Sequence, residues 1–157
     1  MKTKTVITLL ICIGFPMLLG AVAGITTSAN IHDWYIFLNK PSFNPPNSVF
    51  APVWTCLYFL MGISSYLIWK SPRSPQRTKA LSIFVAQLAL NFLWSFLFFY
   101  FHMLAWALFD IVLIWLSVLA MIFLFARVNK AAALLQIPYI LWLSFAGLLN
   151  ASIWFLN

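Results

Sequence analysis

The chain has 157 residues, of which 64% are hydrophobic and 7% charged. Soluble domains carry about 25% charged residues, so the composition excludes a water-soluble enzyme or scaffold. Nine Lys and Arg against two acids give a net charge of +7, which raises nucleic acid as a partner until the placement of the charges is considered.

Five apolar runs, near 5–27, 48–70, 79–101, 104–126 and 131–155, are long enough to cross a hydrocarbon core of roughly 30 Å, which takes about 20 residues. They fill most of residues 1–157 and predict one all-α membrane domain, a bundle of five transmembrane helices. The first run follows Lys2 and Lys4 and passes Ala21-Val22-Ala23, so it imitates a secretory signal. Signal cores span about 7–15 residues. This run continues from Val6 to Ile25, which favours a retained helix. Gly20 and Gly24 give it a GxxxG spacing that permits close backbone approach. Two uses are open: a homodimer contact, with Ala86 and Ala89 of the third run opposite, or packing within one chain.

The connection over 28–47 is the long one, and residues 37–54 read FLNKPSFNPPNSVFAPVW. Proline lacks the N–H and clashes with the preceding turn, so Pro41, Pro45, Pro46 and Pro52 exclude an ordinary helix. A floppy linker is excluded as well, because Phe43, Phe50 and Trp54 would leave apolar surface in water. The segment is predicted to be a stiff, external lid on the bundle. Ahead of it, His32 to Leu38 is expected to form a helical turn at the interface, with Trp34 and Tyr35 as headgroup anchors. Pro52 is expected in the first turn of the second helix, where its missing N–H is harmless.

Within the remaining runs, polar and aromatic residues recur at helical spacing, and such groups normally face the bundle. The second offers Trp54, Tyr58 and Gly62; the third, Gln87, Asn91, Ser95 and Phe98; the fourth, Trp106, Asp110, Leu113 and Ser117; the fifth, Tyr139, Trp142, Ala146 and Asn150. A rise of about 1.5 Å per residue puts Trp54, Asn91, Asp110, Ala146 and Asn150 in the half nearer the proline-rich loop. Aromatic walls with few polar groups are the usual form of a small-molecule pocket. Asn, Gln and Ser also serve as interhelical glue, and both roles are open for each. Asp110 is the one acid inside an apolar run. It is either functional or a neutral, hydrogen-bonded structural group. Trp106 and Asp110 are both expected near Asn91. Cys12 and Cys56 sit in different runs and fit small buried hydrophobes better than a bridge or metal ligands. His32 and His102 are expected to be solvated.

With five crossings, Lys2, Lys4, Lys70, Arg73, Arg77, Lys79, Arg127 and Lys130 share one side, against Lys40 on the other. This asymmetry predicts a cytoplasmic N-terminus and an external Asn157. The basic residues then orient the chain and meet the lipid bilayer, and no nucleic acid is expected.

Four separated motifs carry a resemblance: WYxxLxKPxFxPPxxxFxPVWxxLYxxMG (Trp34 to Gly62), QLxLNxxWSxxFF (Gln87 to Phe99), ALFDIVLIW (Ala107 to Trp115) and LLxxPYxxWxxFAxxLNxxIWxLN (Leu134 to Asn157). Together they resemble the TspO/translocator protein family, also called tryptophan-rich sensory proteins or peripheral-type benzodiazepine receptors. The resemblance implies five helices around a pocket closed by the first loop, and frequent homodimers. It also implies binding of porphyrins and of synthetic benzodiazepine-site ligands, with sterols in eukaryotic members. Carried over by position, the pocket residues are Tyr35, Pro45, Pro46, Trp54, Asn91, Trp94, Trp142 and Ala146, with Asp110 nearby. Tyr58 and Phe98 join them from the helical stripes. Two departures are visible: Phe43 stands where the family commonly has tryptophan, and no basic residue follows Lys130 to complete the family's C-terminal sterol motif.

The leading expectation is therefore a membrane receptor or carrier for a flat hydrophobic ligand, a tetrapyrrole such as protoporphyrin IX or a haem-like porphyrin. It requires no other cofactor and no metal. One alternative is a light-dependent porphyrin-degrading enzyme in which Trp54 and Trp142 are redox-active. Another is a small cation exporter using Asp110, which lacks an internal repeat to support alternating access.

Overall fold

The structure is a computed structural model that describes residues 2–31 and 33–157. His32, one of the two histidines considered above, lies outside the described residues. The elements in order are α1 (Lys2–Ile31), a 3-10 turn (Tyr35–Phe37), α2 (Asn47–Lys70), α3 (Pro75–Ser95), a π turn (Phe96–Tyr100), α4 (Leu104–Val128), α5 (Lys130–Leu134) and α6 (Ile137–Leu156). Five helical spans, with α3 continued by the π turn and α5 by α6, are long and apolar enough to cross a membrane. The chain is a multi-pass, all-α integral membrane protein. Its proline-rich connection, which carries Lys40, lies at the loop end, and the other Lys and Arg lie at the opposite, basic end.

Around the bundle, α1 packs on α2 and on α3 with its π turn, α2 packs on α3 and α5, and α4 packs on α3, α5 and α6. Small residues set these approaches. Ala80, Ala107 and Ala132 are fully buried, and a Cβ on Gly62 would sit 2.5 Å from the Cα of Ile13, so α1 and α2 touch backbone to backbone there. Polar ties cross the same seams. The Ser64 hydroxyl donates to the Ala132 carbonyl at 2.7 Å, and Trp115 Nε1 donates to Ser144 Oγ at 2.9 Å.

Several expectations change. The run near 131–155 is two helices, because Pro138 cannot continue α5 but sits without penalty in the first turn of α6. The third run widens at its end, where Phe101 N–H reaches back to the Phe96 carbonyl at 2.8 Å. His102, at φ 57°, then reverses the chain into α4, a conformation uncommon outside glycine. In α4 the inward face is turned by one residue from the expected stripe. Ala107, Asp110, Ile111, Ile114 and Val118 are buried, while Trp106 is 62% exposed on the outer surface. The small Ala107 fits against the Phe98–Phe99 cluster where an indole would not. Cys56 is exposed rather than buried. Pro52 is the sixth residue of α2, past the first turn, so the Ser48 carbonyl loses its helical donor.

The long connection is ordered by its own polar groups. Tyr35 turns inward, 4% exposed, rather than anchoring to headgroups, and its hydroxyl donates to Asn44 Oδ1 at 3.0 Å. Trp34 stacks on His102 with centroids 4.1 Å apart. Lys40 Nζ donates to the Leu38 carbonyl at 2.8 Å and lies 4.8 Å from the centre of the Tyr35 ring. Asn39 and Asn157 exchange bonds of 2.9 and 3.0 Å, which ties the connection to the end of α6.

Candidate functional site

In the loop half of the bundle, α1, α2, α3, α6 and the 3-10 turn enclose a cavity of about 370 Å³, within the size range of small-molecule sites. Helical spacing in α2 puts Trp54 and Tyr58 one turn apart, with ring centres 5.6 Å apart. From α3 come Asn91 and Trp94, and from the π turn comes Phe98, stacked on Trp94 at 5.1 Å. On α6, Trp142 and Ala146 form the facing wall. The lid contributes Tyr35 and, at the start of α2, Phe50, whose ring meets Trp142 edge-on at 6.0 Å. The π turn has a direct effect here: it brings the adjacent Phe98 and Phe99 both inward, against Tyr35.

A polar chain crosses the bundle at this level. Tyr58 Oη donates to Asn91 Oδ1 at 2.5 Å, Asn91 Nδ2 donates to Tyr139 Oη at 2.8 Å, and Tyr139 Oη donates to Gln87 Oε1 at 3.0 Å. Trp94 Nε1 donates to Asn150 Oδ1 at 3.1 Å, while Asn150 Nδ2 donates to the Leu104 carbonyl at 3.1 Å. Tyr58, Asn91, Trp94 and Asn150 thus act as interhelical glue and as cavity lining together, with Tyr139 and Gln87 behind the wall, since bonded chains polarise and rigidify one another. The Trp142 indole N–H is buried in the wall with no acceptor among the described residues. No charged side chain lines the cavity among the described residues. Burial pushes the Tyr35 phenol up to about 12, so it stays neutral and donating at physiological pH.

Eight of the sequence-derived site residues come together on this cavity: Tyr35, Trp54, Tyr58, Asn91, Trp94, Phe98, Trp142 and Ala146. Three do not line it. Pro46 caps α2 and the Pro45 carbonyl accepts from Asn44 Nδ2 at 3.1 Å, so both shape the lid from outside. Asp110 is buried on α4, 3% exposed, with Oδ2 unbonded among the described residues. The expected cluster of Trp106 and Asp110 beside Asn91 is corrected for Trp106, which points outward.

One wall was missed. Gly20, Gly24, Thr27 and Ile31 of α1 line the cavity, and their spacing of 4, 3 and 4 is a helical face legible in the sequence. Gly20 also answers the open question about the GxxxG pair in part. A Cβ there would strike the Tyr58 ring, so this glycine is used within the chain, while Gly24 meets nothing that close.

A sequence profile of the TspO/MBR family matches residues 12–155. The chain is 39% identical over 156 residues to the tryptophan-rich protein TspO of Chlorobaculum tepidum, covering 98% of each chain. It is 40% identical over 140 residues to the TspO protein of Archaeoglobus fulgidus, covering 88% of this chain and 90% of that one. Against the translocator protein of Bos taurus it is 41% identical over 123 residues, covering 77% of this chain and 73% of the other. The match runs through the lid, the aromatic walls and the polar chain beneath them, and the protein belongs to the TspO/MBR family.

Proposed function

We propose that the protein is a membrane receptor or carrier that binds flat hydrophobic ligands, above all porphyrins, in the cavity under the lid. One observation carries this reading: a cavity with no charged lining among the described residues, walled by Trp54, Trp94 and Trp142, with Tyr58 and Asn91 at its polar edge. Indole faces stack on a macrocycle. The unbonded Trp142 N–H supplies a donor for a polar substituent. Pro45 and Pro46 stiffen the lid, and Asp110 supports α4 from behind rather than touching ligand. A synthetic ligand of the benzodiazepine-site type fits the same walls. The N-terminus is cytoplasmic and Asn157 external, and the protein forms a homodimer.

The test is quenching of tryptophan fluorescence by protoporphyrin IX in the purified protein. Saturable quenching that weakens in Trp54→Phe and Trp142→Phe is expected; unsaturable quenching, equal in both variants, would sink the proposal. A second reading, light-driven breakdown of the bound porphyrin, is favoured by two tryptophans bordering one cavity. Chromatography after illumination separates the two. A new pigment that disappears in Trp54→Phe and Trp142→Phe marks an enzyme, and unchanged porphyrin marks a receptor.

A further inference from the structure

The basic end of the bundle holds a second concavity, separate from the cavity under the lid. Where α2 ends and α3 begins, an open groove of about 670 Å³ has Arg73 and Arg77 at one end and Leu81 and Val85 further along α3. Thr78, Leu81, Ser82 and Val85 share one helical face. From Arg77 to Val85 the groove therefore descends about 12 Å at 1.5 Å per residue, from the interface towards the hydrocarbon. The opposite bank is Trp69, which is half exposed and holds the Arg77 guanidinium over its ring at 5.0 Å. One end is cationic, and the other is apolar at membrane depth.

The cations have no counter-charge of their own. The chain contains two acids, Asp33 and Asp110; Asp33 lies in the connection at the opposite end, and Asp110 is buried on α4. The first turn of α3 carries no acid either, and its helix N-terminus adds to the positive potential. Arg77 Nε is buried beside Trp69 without an acceptor among the described residues, and the Ser82 side chain lines the groove. Two guanidiniums, a hydroxyl and an apolar floor running into the bilayer form a receptor for an amphiphile with a negative head.

We propose that this groove binds an anionic phospholipid from the adjoining leaflet. Its phosphate meets Arg73 and Arg77, and one acyl chain lies along Leu81, Val85 and the Trp69 ring. Guanidinium forks suit phosphate oxygens. Basic pockets between transmembrane helices recognise lipid headgroups by the same means. A zwitterionic lipid brings its own ammonium and leaves the pair uncompensated, so the groove selects on net charge. The site lies about 22 Å along α2 from Trp54, by the same rise per residue, and does not depend on what the upper cavity binds.

The experiment is native mass spectrometry of delipidated, full-length protein titrated with phosphatidylglycerol or with phosphatidylcholine. Arg73→Gln/Arg77→Gln is compared with Arg127→Gln/Lys130→Gln, which removes the same charge from the same end. Wild type should retain one phosphatidylglycerol in preference to phosphatidylcholine. The groove variant should bind it roughly tenfold more weakly, since each basic group contributes severalfold. The control variant should bind close to wild type. Arg77→Lys, which keeps the charge but loses the fork, should fall between, and stands in if the double variant does not fold. Equal losses in the two double variants would reduce the effect to diffuse surface charge. Equal retention of both lipids, or displacement of phosphatidylglycerol by millimolar inorganic phosphate, would also overturn the proposal.

Discussion

Asn91 is the residue on which the upper half of the bundle turns, because one side chain serves two tyrosines from two other helices. In Asn91→Leu the Tyr58 hydroxyl is stranded in an apolar setting. An unsatisfied buried donor costs about 1–3 kcal/mol, so the thermal midpoint in detergent should drop. Tyr58→Phe/Asn91→Leu removes donor and acceptor together and should recover part of the loss. A double variant as unstable as the summed single changes would show that the bond contributes nothing beyond packing. Asp110 presents the opposite case. It lies behind the cavity wall, so Asp110→Asn should leave porphyrin affinity near wild type. A loss beyond about tenfold, ~1.4 kcal/mol, would place its carboxyl in contact with ligand. The sequence singled out both residues correctly as buried polar groups. It could not tell lining from support, because helical spacing gives a direction around an axis and not what stands in that direction.

At the scale of elements, the lid is the most distinctive piece. Its prolines limit the conformations available to the open state, and Xaa-to-Pro changes at compatible sites typically contribute about 0.4–1 kcal/mol each. Pro45→Gly/Pro46→Gly should therefore release porphyrin several times faster in stopped-flow dilution. An unchanged off-rate would mean that these prolines shape the chain without gating the cavity. Tyr35→Phe should act in the same direction by removing the bond to Asn44. The Tyr35 phenol is raised from 10.0 to about 12 by burial. Its contribution is complete below pH 10 and is lost as pH rises through about 12. A spectrophotometric titration should accordingly lose a late phenolate step in Tyr35→Phe. The prolines announced a stiff connection in the sequence. The inward turn of Tyr35 was hidden, since its partner Asn44 is nine residues away across a bend.

For the whole molecule, the eight-to-one placement of Lys and Arg makes orientation the sharpest expectation. Alkaline phosphatase fused after Asn157 should be active on the external side of the membrane, and the same enzyme fused before Met1 inactive. Activity at both ends would contradict an odd number of crossings. Association gives a second test at this scale. Gly20 accommodates the Tyr58 ring, so Gly20→Leu should push α1 from α2, lower the melting midpoint and weaken porphyrin binding. If it instead leaves stability unchanged and converts a dimer to a monomer in detergent, the glycine serves association between chains.

Hydrophobic length and charge placement determined the membrane class, the five crossings and the expected orientation, because the bilayer imposes its thickness and its charge asymmetry on any sequence that spans it. The inward faces of α2, α3 and α6 followed from spacing alone, since each carries one polar or aromatic stripe that lipid would not tolerate. Tertiary structure was needed for α4, where Trp106 and Ala107 compete for the interior. An indole is stable at the membrane surface, and only the neighbouring Phe98–Phe99 cluster decides that the small residue must turn inward. It was needed as well for the π turn within an unbroken apolar run. The groove at the basic end is the last such feature: Arg77 and Trp69 lie on different helices, and only their packing turns two surface residues into one cationic site.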